Sequence, residues 1–259
     1  MSRSRTYRSE ALVLRRTDFG EADRVLTLFT LAEGKLRAVA KGVRRTVSRS
    51  GGHLELFVHS DLLLSRGREL DMVAQAEMIH SFRAVREDLL RTSYAYYLAE
   101  LVDGLSEERQ PNPALFRTIV EALTALETAQ DVRLVTTHFI LAALDQSGFR
   151  PQVEMCVACN VPLKPEINGF DCTLGGALCP RCVPAAPHGR PIAVNVLKLL
   201  RLLQRSDTVG AVAVHVPGAI SRDAERLLRD YAEGILEHQL RAPAFVARVR
   251  EATSLYQPD

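Results

Sequence analysis

The feature that most limits what this chain can form is a change of hydrophobic period close to residue 80. From Tyr7 to Ile79 apolar residues come in short, largely alternating runs separated by turn residues, the pattern of half-buried strands. Beyond Ser81 they recur at spacings of three and four, as in Leu90, Tyr94, Tyr97, Leu98, Leu101 and Leu105. A sequence built on one of these periods does not settle into the other structure, so a β unit followed by helices is required. The runs predict five strands over 9–16, 22–30, 35–41, 54–65 and 70–79, with a tight turn at the AEG before Lys35 and a longer Gly/Ser/Arg loop over 42–53. Five strands in about seventy residues fit a small Greek-key barrel of the OB type, and an SH3-like barrel carries nearly the same signature.

The helical pattern continues through Leu115, Ile119, Leu123 and Leu126, then through 133–146, ending near Gly148 and Pro151. It resumes at 193–205, 221–240 and 243–255. All five cysteines lie in the interruption, CVACNVPLKPEINGFDCTLGGALCPRC, residues 156–182. The fold class is therefore multidomain α+β, with a barrel over 1–80, helical segments over 81–151 and 188–259, and a cysteine-bearing insertion over 152–187.

Within the insertion, Cys156 pairs with Cys159 and Cys179 with Cys182, with nineteen residues between the two CxxC turns. That spacing is expected of a four-thiolate zinc site. Each turn supplies two sulfurs at about 2.3 Å from a tetrahedral Zn²⁺, and four protein ligands leave no position for a reacting water. The implied cofactor is a structural Zn²⁺ in a ribbon. Cys172 and His188 are not needed to complete the shell, and Cys172 is the odd thiol.

The compartment expected is the cytoplasm, where thiols stay reduced and clustered CxxC pairs favour metal over disulfides. No run of about 18 apolar residues is present, and MSRSRTYRSEALVL lacks the apolar core of a secretory signal. No membrane partner is expected.

Net charge is only +2, but it is unevenly distributed. Residues 1–50 hold 12 Lys/Arg against 5 Asp/Glu, and the remainder is mildly acidic. In KLRAVAK, strand alternation puts Lys35, Arg37 and Lys41 on the face opposite Leu36, Ala38 and Ala40. The following loop adds Arg44, Arg45 and Arg49, and Arg15 and Arg16 end the first strand. These eight residues are the candidate nucleic-acid surface, suited to phosphate-backbone contact. Base stacking has few candidates, namely Tyr7, Phe19, Phe29 and Phe57, and Phe29 and Phe57 fit the barrel core equally well. A second basic surface is offered by Lys198, Arg201 and Arg205 and by Arg222, Arg226 and Arg229, although Asp223, Glu225 and Asp230 are interspersed.

Phosphate-loop, GxSxG, HExxH and dinucleotide motifs are all missing, so no catalytic residues are assigned. Asp18, Glu21 and Asp23 are acids of the kind a metal nuclease uses, but beside Arg24 they read as loop caps. The competing functional class is a zinc-stabilised adaptor whose basic barrel holds an acidic protein.

Five blocks in order, EALVLRRTDFGEADRVLTLFT, GKLRAVAKGVRR, SRSGGHLELF, DLLRTSYAYYLAELVDGL and HQLRAPAF, resemble the RecO family of bacterial recombination mediators over nearly the whole chain. The resemblance implies an OB-fold, a helical C-terminal domain and a zinc ribbon. It implies binding of single- and double-stranded DNA, annealing of complementary strands and, with RecR, loading of RecA onto DNA covered by single-strand-binding protein. None of these steps needs an enzyme's bond-making chemistry. By position it carries DNA contact onto Lys35, Arg37, Lys41, Arg44, Arg45 and Arg49. It also implies capture of the acidic tail of single-strand-binding protein by the helical domain, where Arg133, His138 and Phe139 lie.

Overall fold

The computed structural model describes residues 5–45 and 51–255. Two compact units result, one formed by residues up to Glu127 together with the stretch from Ala242, the other by Thr128–Arg241. The described strands are β1 (Thr6–Phe19), β2 (Asp23–Thr30), β3 (Gly34–Ala40), β4 (His59–Ser65), β5 (Asp71–His80), β6 (Asn168–Asp171), β7 (Gly176–Leu178) and β8 (Arg190–Ile192). The helices are α1 (Arg83–Glu87), α2 (Leu89–Leu105), α3 (Pro113–Thr128), α4 (Val132–Gln146), α5 (Val194–Arg205), α6 (Thr208–Val212), α7 (Gly218–Leu236) and α8 (Ala242–Leu255).

In the first unit, β1 to β5 close a barrel in the order β1-β2-β3-β5-β4. Every pairing is antiparallel except β3 with β5, which meet in parallel at Ala38↔Asp71 and Val39↔Met72. This is the five-stranded Greek-key closure of an OB barrel, and it decides against the SH3-like alternative. The core is the inward half of each alternation: Ala11 and Val13, Leu26 and Leu28, Leu36, Ala38 and Ala40, Leu62 and Leu64. At the end of β2 the alternation is lost, with Leu28, Phe29 and Thr30 all buried, because helix α3 covers the outer face there. Phe29 meets Phe116 of α3 at 5.9 Å between ring centroids.

One expected strand is corrected. The apolar run from residue 54 does not begin β4: Gly52–Leu54 is a 3-10 turn, Phe57 has φ +63°, and pairing starts at His59. Leu54 joins the barrel core, Phe57 packs against Tyr96 of α2 and Val58 is buried, so the run is apolar without being a strand. The Phe57 N–H donates to Val13 O (2.9 Å) and the Val13 N–H to Val58 O (3.3 Å), at the irregularity in β1 between Val13 and Arg15.

In the second unit α4 is buried over most of its length and packs against α5, α6 and α7. Its buried hydroxyls at Thr136 and Thr137 donate to the carbonyls four residues earlier, so no donor is stranded there. The predicted helix over 221–240 runs instead from Gly218 to Leu236, where Glu237 turns into the left-handed region at φ +57°. The insertion supplies β6 and β7 of a small antiparallel sheet ordered β7-β6-β8, and β8 follows directly after it.

Candidate metal centre and nucleic-acid surface

Each CxxC segment turns back on itself. The Asn160 N–H donates to Cys156 O (2.8 Å) and the Cys182 N–H to Cys179 O (2.9 Å). Asn160 sits at φ +54°, a conformation that asparagine tolerates better than most residues and that was not anticipated from the CxxC pattern. The first turn is tied to β7 by the Val157 N–H to Ala177 O (3.0 Å). That approach requires Gly176, whose added Cβ would lie 2.5 Å from Gln152 O and 2.7 Å from the Val157 side chain.

The result is that the four sulfurs of Cys156, Cys159, Cys179 and Cys182 all lie within 4.8 Å of one another. Cys159 Sγ and Cys179 Sγ are 3.7 Å apart, far beyond a disulfide. A tetrahedron with metal–sulfur bonds of about 2.3 Å has edges of about 3.8 Å, so the spacing fits one ion. Electrostatics point the same way. Burial pushes the Cys156 thiol up, but the N–H groups of Cys179, Cys159 and Ala158 outweigh it and bring its pKa down to about 6. Cys182 is pushed up to about 12, first by hydrogen bonds with the Cys159 and Cys179 sulfurs that favour its protonated form. A central cation would displace that proton, since a coordinating thiol is bound as the thiolate. Cys172 and His188 are not in the cluster and line a separate cavity of about 530 Å³ against α5 and α7. The Cys172 thiol is raised by burial and then by Asp230.

The basic surface of the barrel is narrower than its sequence suggests. Leu36, Ala38 and Ala40 point inward, Arg37, Lys41, Arg44 and Arg45 are exposed, and Arg49 lies outside the described residues. Lys35 is only 16% exposed, its Nζ 3.1 Å from Asp103 Oδ1 at the end of α2, and Arg15 pairs with the same carboxylate at 2.9 Å. Arg16 pairs with Glu55, which also accepts from Arg24 at 3.0 Å. Four of the candidate cations are therefore partly neutralised within the unit, since Arg44 also pairs with Asp18. The partners of Lys35, Arg15 and Arg16 lie 39 to 88 residues away in sequence, and no local signal marks them.

Two of the three acids, Asp18 and Asp23, are engaged by neighbouring groups. Asp18 accepts from Arg24 (3.0 Å) and faces Arg44 (3.5 Å), which with the Arg24 hydrogen bond as the main cause holds its carboxyl below the usual range. Asp23 accepts from the Gly42 N–H at 2.7 Å. Among the described residues, the four cysteines are the cluster suited to a metal.

The second basic surface is partly engaged within its own unit. Arg201 is 18% exposed, donates to Val153 O (2.7 Å) and pairs with Glu154, and Arg205 pairs with the same carboxylate. Arg226 pairs with Asp223 and Arg229 with Asp230. Lys198 and Arg222 are exposed, as are Arg205 and Arg226 beside their carboxylate partners. Arg201 and Arg205 fasten the stretch leading into the first CxxC turn onto α5. Of the helical residues singled out from sequence, Phe139 is fully buried, Arg133 pairs with Glu225 at 3.4 Å, and His138 Nε2 lies 3.1 Å from Ser206 O.

Comparison with known proteins resolves the identity of this arrangement. Residues 1–82 match the family described as Recombination protein O N terminal, and residues 86–244 the one described as Recombination protein O C terminal. The chain belongs to the RecO family. It is 40% identical over 256 residues to the DNA repair protein RecO of Roseiflexus sp., covering 99% of this chain and 90% of that one. It is 34% identical to the DNA repair protein RecO of Dehalococcoides mccartyi (93% and 95% covered) and 34% identical to that of Symbiobacterium thermophilum (95% and 98%). A role in DNA recombination and repair follows from RecO membership. Among the described residues no helix is long and apolar enough to cross a membrane.

Proposed function

We propose that the chain is a non-enzymatic recombination mediator of the cytoplasm and nucleoid. In this reading it binds single- and double-stranded DNA through the phosphate backbone and anneals complementary strands. With RecR it helps to load RecA onto DNA covered by single-strand-binding protein, whose acidic tail it captures. The observation that supports the reading best is the exposed set Arg37, Lys41, Arg44 and Arg45 along one strand and loop of an OB barrel. Such a set lowers the repulsion between two phosphate backbones while leaving base edges free to pair. Holding the ribbon with a Zn²⁺ at Cys156, Cys159, Cys179 and Cys182 contributes stability and no chemistry in this account.

The test is fluorescence anisotropy of labelled single- and double-stranded oligonucleotides across a salt series. Binding to both is expected to weaken steeply with salt. Reversing charge at Arg37, Lys41, Arg44 and Arg45 should weaken binding at least about tenfold near 0.1 M salt and flatten the slope, with the protein still folded. Absence of binding at low salt would overturn this reading and favour an adaptor that holds an acidic protein.

A further inference from the structure

Four aromatic residues of the barrel segment are chemically able to stack on a nucleobase, and the fold assigns three of them elsewhere. Phe29 and Phe57 are buried, with Phe57 packed edge-on against Tyr96 at 5.0 Å. Tyr7 lies under the Arg66 guanidinium, 4.5 Å from its ring centroid, and its hydroxyl donates to the Asp71 carboxylate. Phe19 differs. It is 58% exposed at the tip of the β1–β2 hairpin.

Its exposure does not come from a loosely held loop. The β1–β2 ladder runs to the pair Phe19↔Asp23, and Asp23 then accepts from the Gly42 N–H. The loop after β3 is tied to the same tip, with the Arg44 N–H donating to Ala22 O (3.0 Å) and its guanidinium to Gly20 O (3.4 Å). Gly20 has φ +58° and open space around it, so nothing crowds the turn beside the ring. The exposed ring therefore sits on an ordered strand end beside the loop that carries Lys41, Arg44 and Arg45. An apolar, flat, preorganised surface next to phosphate-binding cations is the pairing of groups by which proteins hold single-stranded nucleic acid: cations track the backbone, and a ring accepts any base on its π-face.

We propose that Phe19 is a stacking platform for one unpaired base of single-stranded DNA, with the strand's phosphates on Lys41, Arg44 and Arg45. The inference rests on the DNA-binding reading above and adds a residue that distinguishes single strands from duplex. In a duplex the bases are already stacked on each other and are not offered to the ring. Stacking is insensitive to base identity, so the preference concerns strandedness and not sequence.

The chain contains no tryptophan, which makes a direct test available. In Phe19→Trp, the introduced indole is the sole tryptophan, and its emission should be quenched saturably by an oligothymidine strand and not by inorganic polyphosphate. In Phe19→Ala, affinity for the single strand should fall by about fivefold to a hundredfold. Affinity for duplex should be unchanged, as should the slope against salt, since no cation is lost. Unquenched indole emission from Phe19→Trp at saturating oligothymidine, or equal quenching by polyphosphate, would overturn the proposal. So would an unaltered single-strand affinity in Phe19→Ala, which would leave the ring to a protein partner. If the unsubstituted chain binds neither strand, it is the DNA-binding reading that fails.

Discussion

Asp71 is the residue at which the barrel is most open to a decisive perturbation. Its side chain is fully buried at the start of β5 and accepts three hydrogen bonds: from the Tyr7 hydroxyl, from the Gly67 N–H at 3.1 Å and from Arg109 Nη2 at 2.8 Å. Arg109 lies on the α2–α3 connection, so the carboxylate joins β1, β5 and the helical layer of the same unit. Burial alone would raise its pKa, but Tyr7, Gly67 and Arg109 outweigh burial and hold the carboxyl below its ordinary value. Removing one partner of a buried ion pair costs about 3–5 kcal/mol. Arg109 is 40% exposed and can regain water, so we discount this to about 2–4 kcal/mol for Asp71→Ala. Asp71→Asn keeps an acceptor of the same shape and should cost about 1–2 kcal/mol. Urea unfolding followed by far-ultraviolet circular dichroism measures this. With a slope of about 2–3 kcal/mol per M, the Ala variant should lose roughly 1 M in midpoint.

The pH dependence has a definite sign. A carboxyl depressed in the folded state stabilises fully above its unfolded pKa of about 3.9, and this contribution is lost as pH falls through the lower folded value. The parent and Asp71→Asn should therefore differ most at neutral pH and converge in acid. A midpoint change below about 0.2 M for Asp71→Ala, or a gap that widens in acid, would refute the reasoning.

Three further outcomes are expected. Gly34→Ala, at φ +70° with its added Cβ 2.1 Å from Gln110 O, should cost about 2 kcal/mol or more, read as a lowered melting temperature. Cys159→Ser and Cys182→Ser should lose stoichiometric zinc by elemental analysis of protein purified without chelator, whereas Cys172→Ser should retain it. Arg201→Met should lower the melting temperature and leave oligonucleotide affinity unchanged, because that guanidinium is engaged by Val153 O and Glu154.

Much of the architecture was legible in the residues because it depends on local rules. The period change near residue 80 separates strand from helix, KLRAVAK alternates as β3 does, and the two CxxC turns name all four sulfurs of the cluster. Those features depend on side-chain spacing along a few residues, which backbone geometry converts directly into faces and turns. The run from residue 54 misled because a buried turn and a buried strand are equally apolar. The three short strands β6, β7 and β8 carried no periodic signal at three or four residues each.

Which charges and rings remain available was settled in three dimensions. Lys35, Arg15 and Arg37 look alike in sequence, yet Asp103 engages the first two and leaves Arg37 exposed. Likewise Phe29 and Phe19 are both strand aromatics, and only the covering helix α3 separates a core residue from an open one. Helix α8, last in the chain, packs against α2 in the unit that contains the barrel. Local patterning was enough for the barrel strands, the long helices and the thiolate set. Neutralisation and burial came from contacts between residues tens of positions apart, because Coulomb and packing energies depend on distance in space and not on separation along the chain.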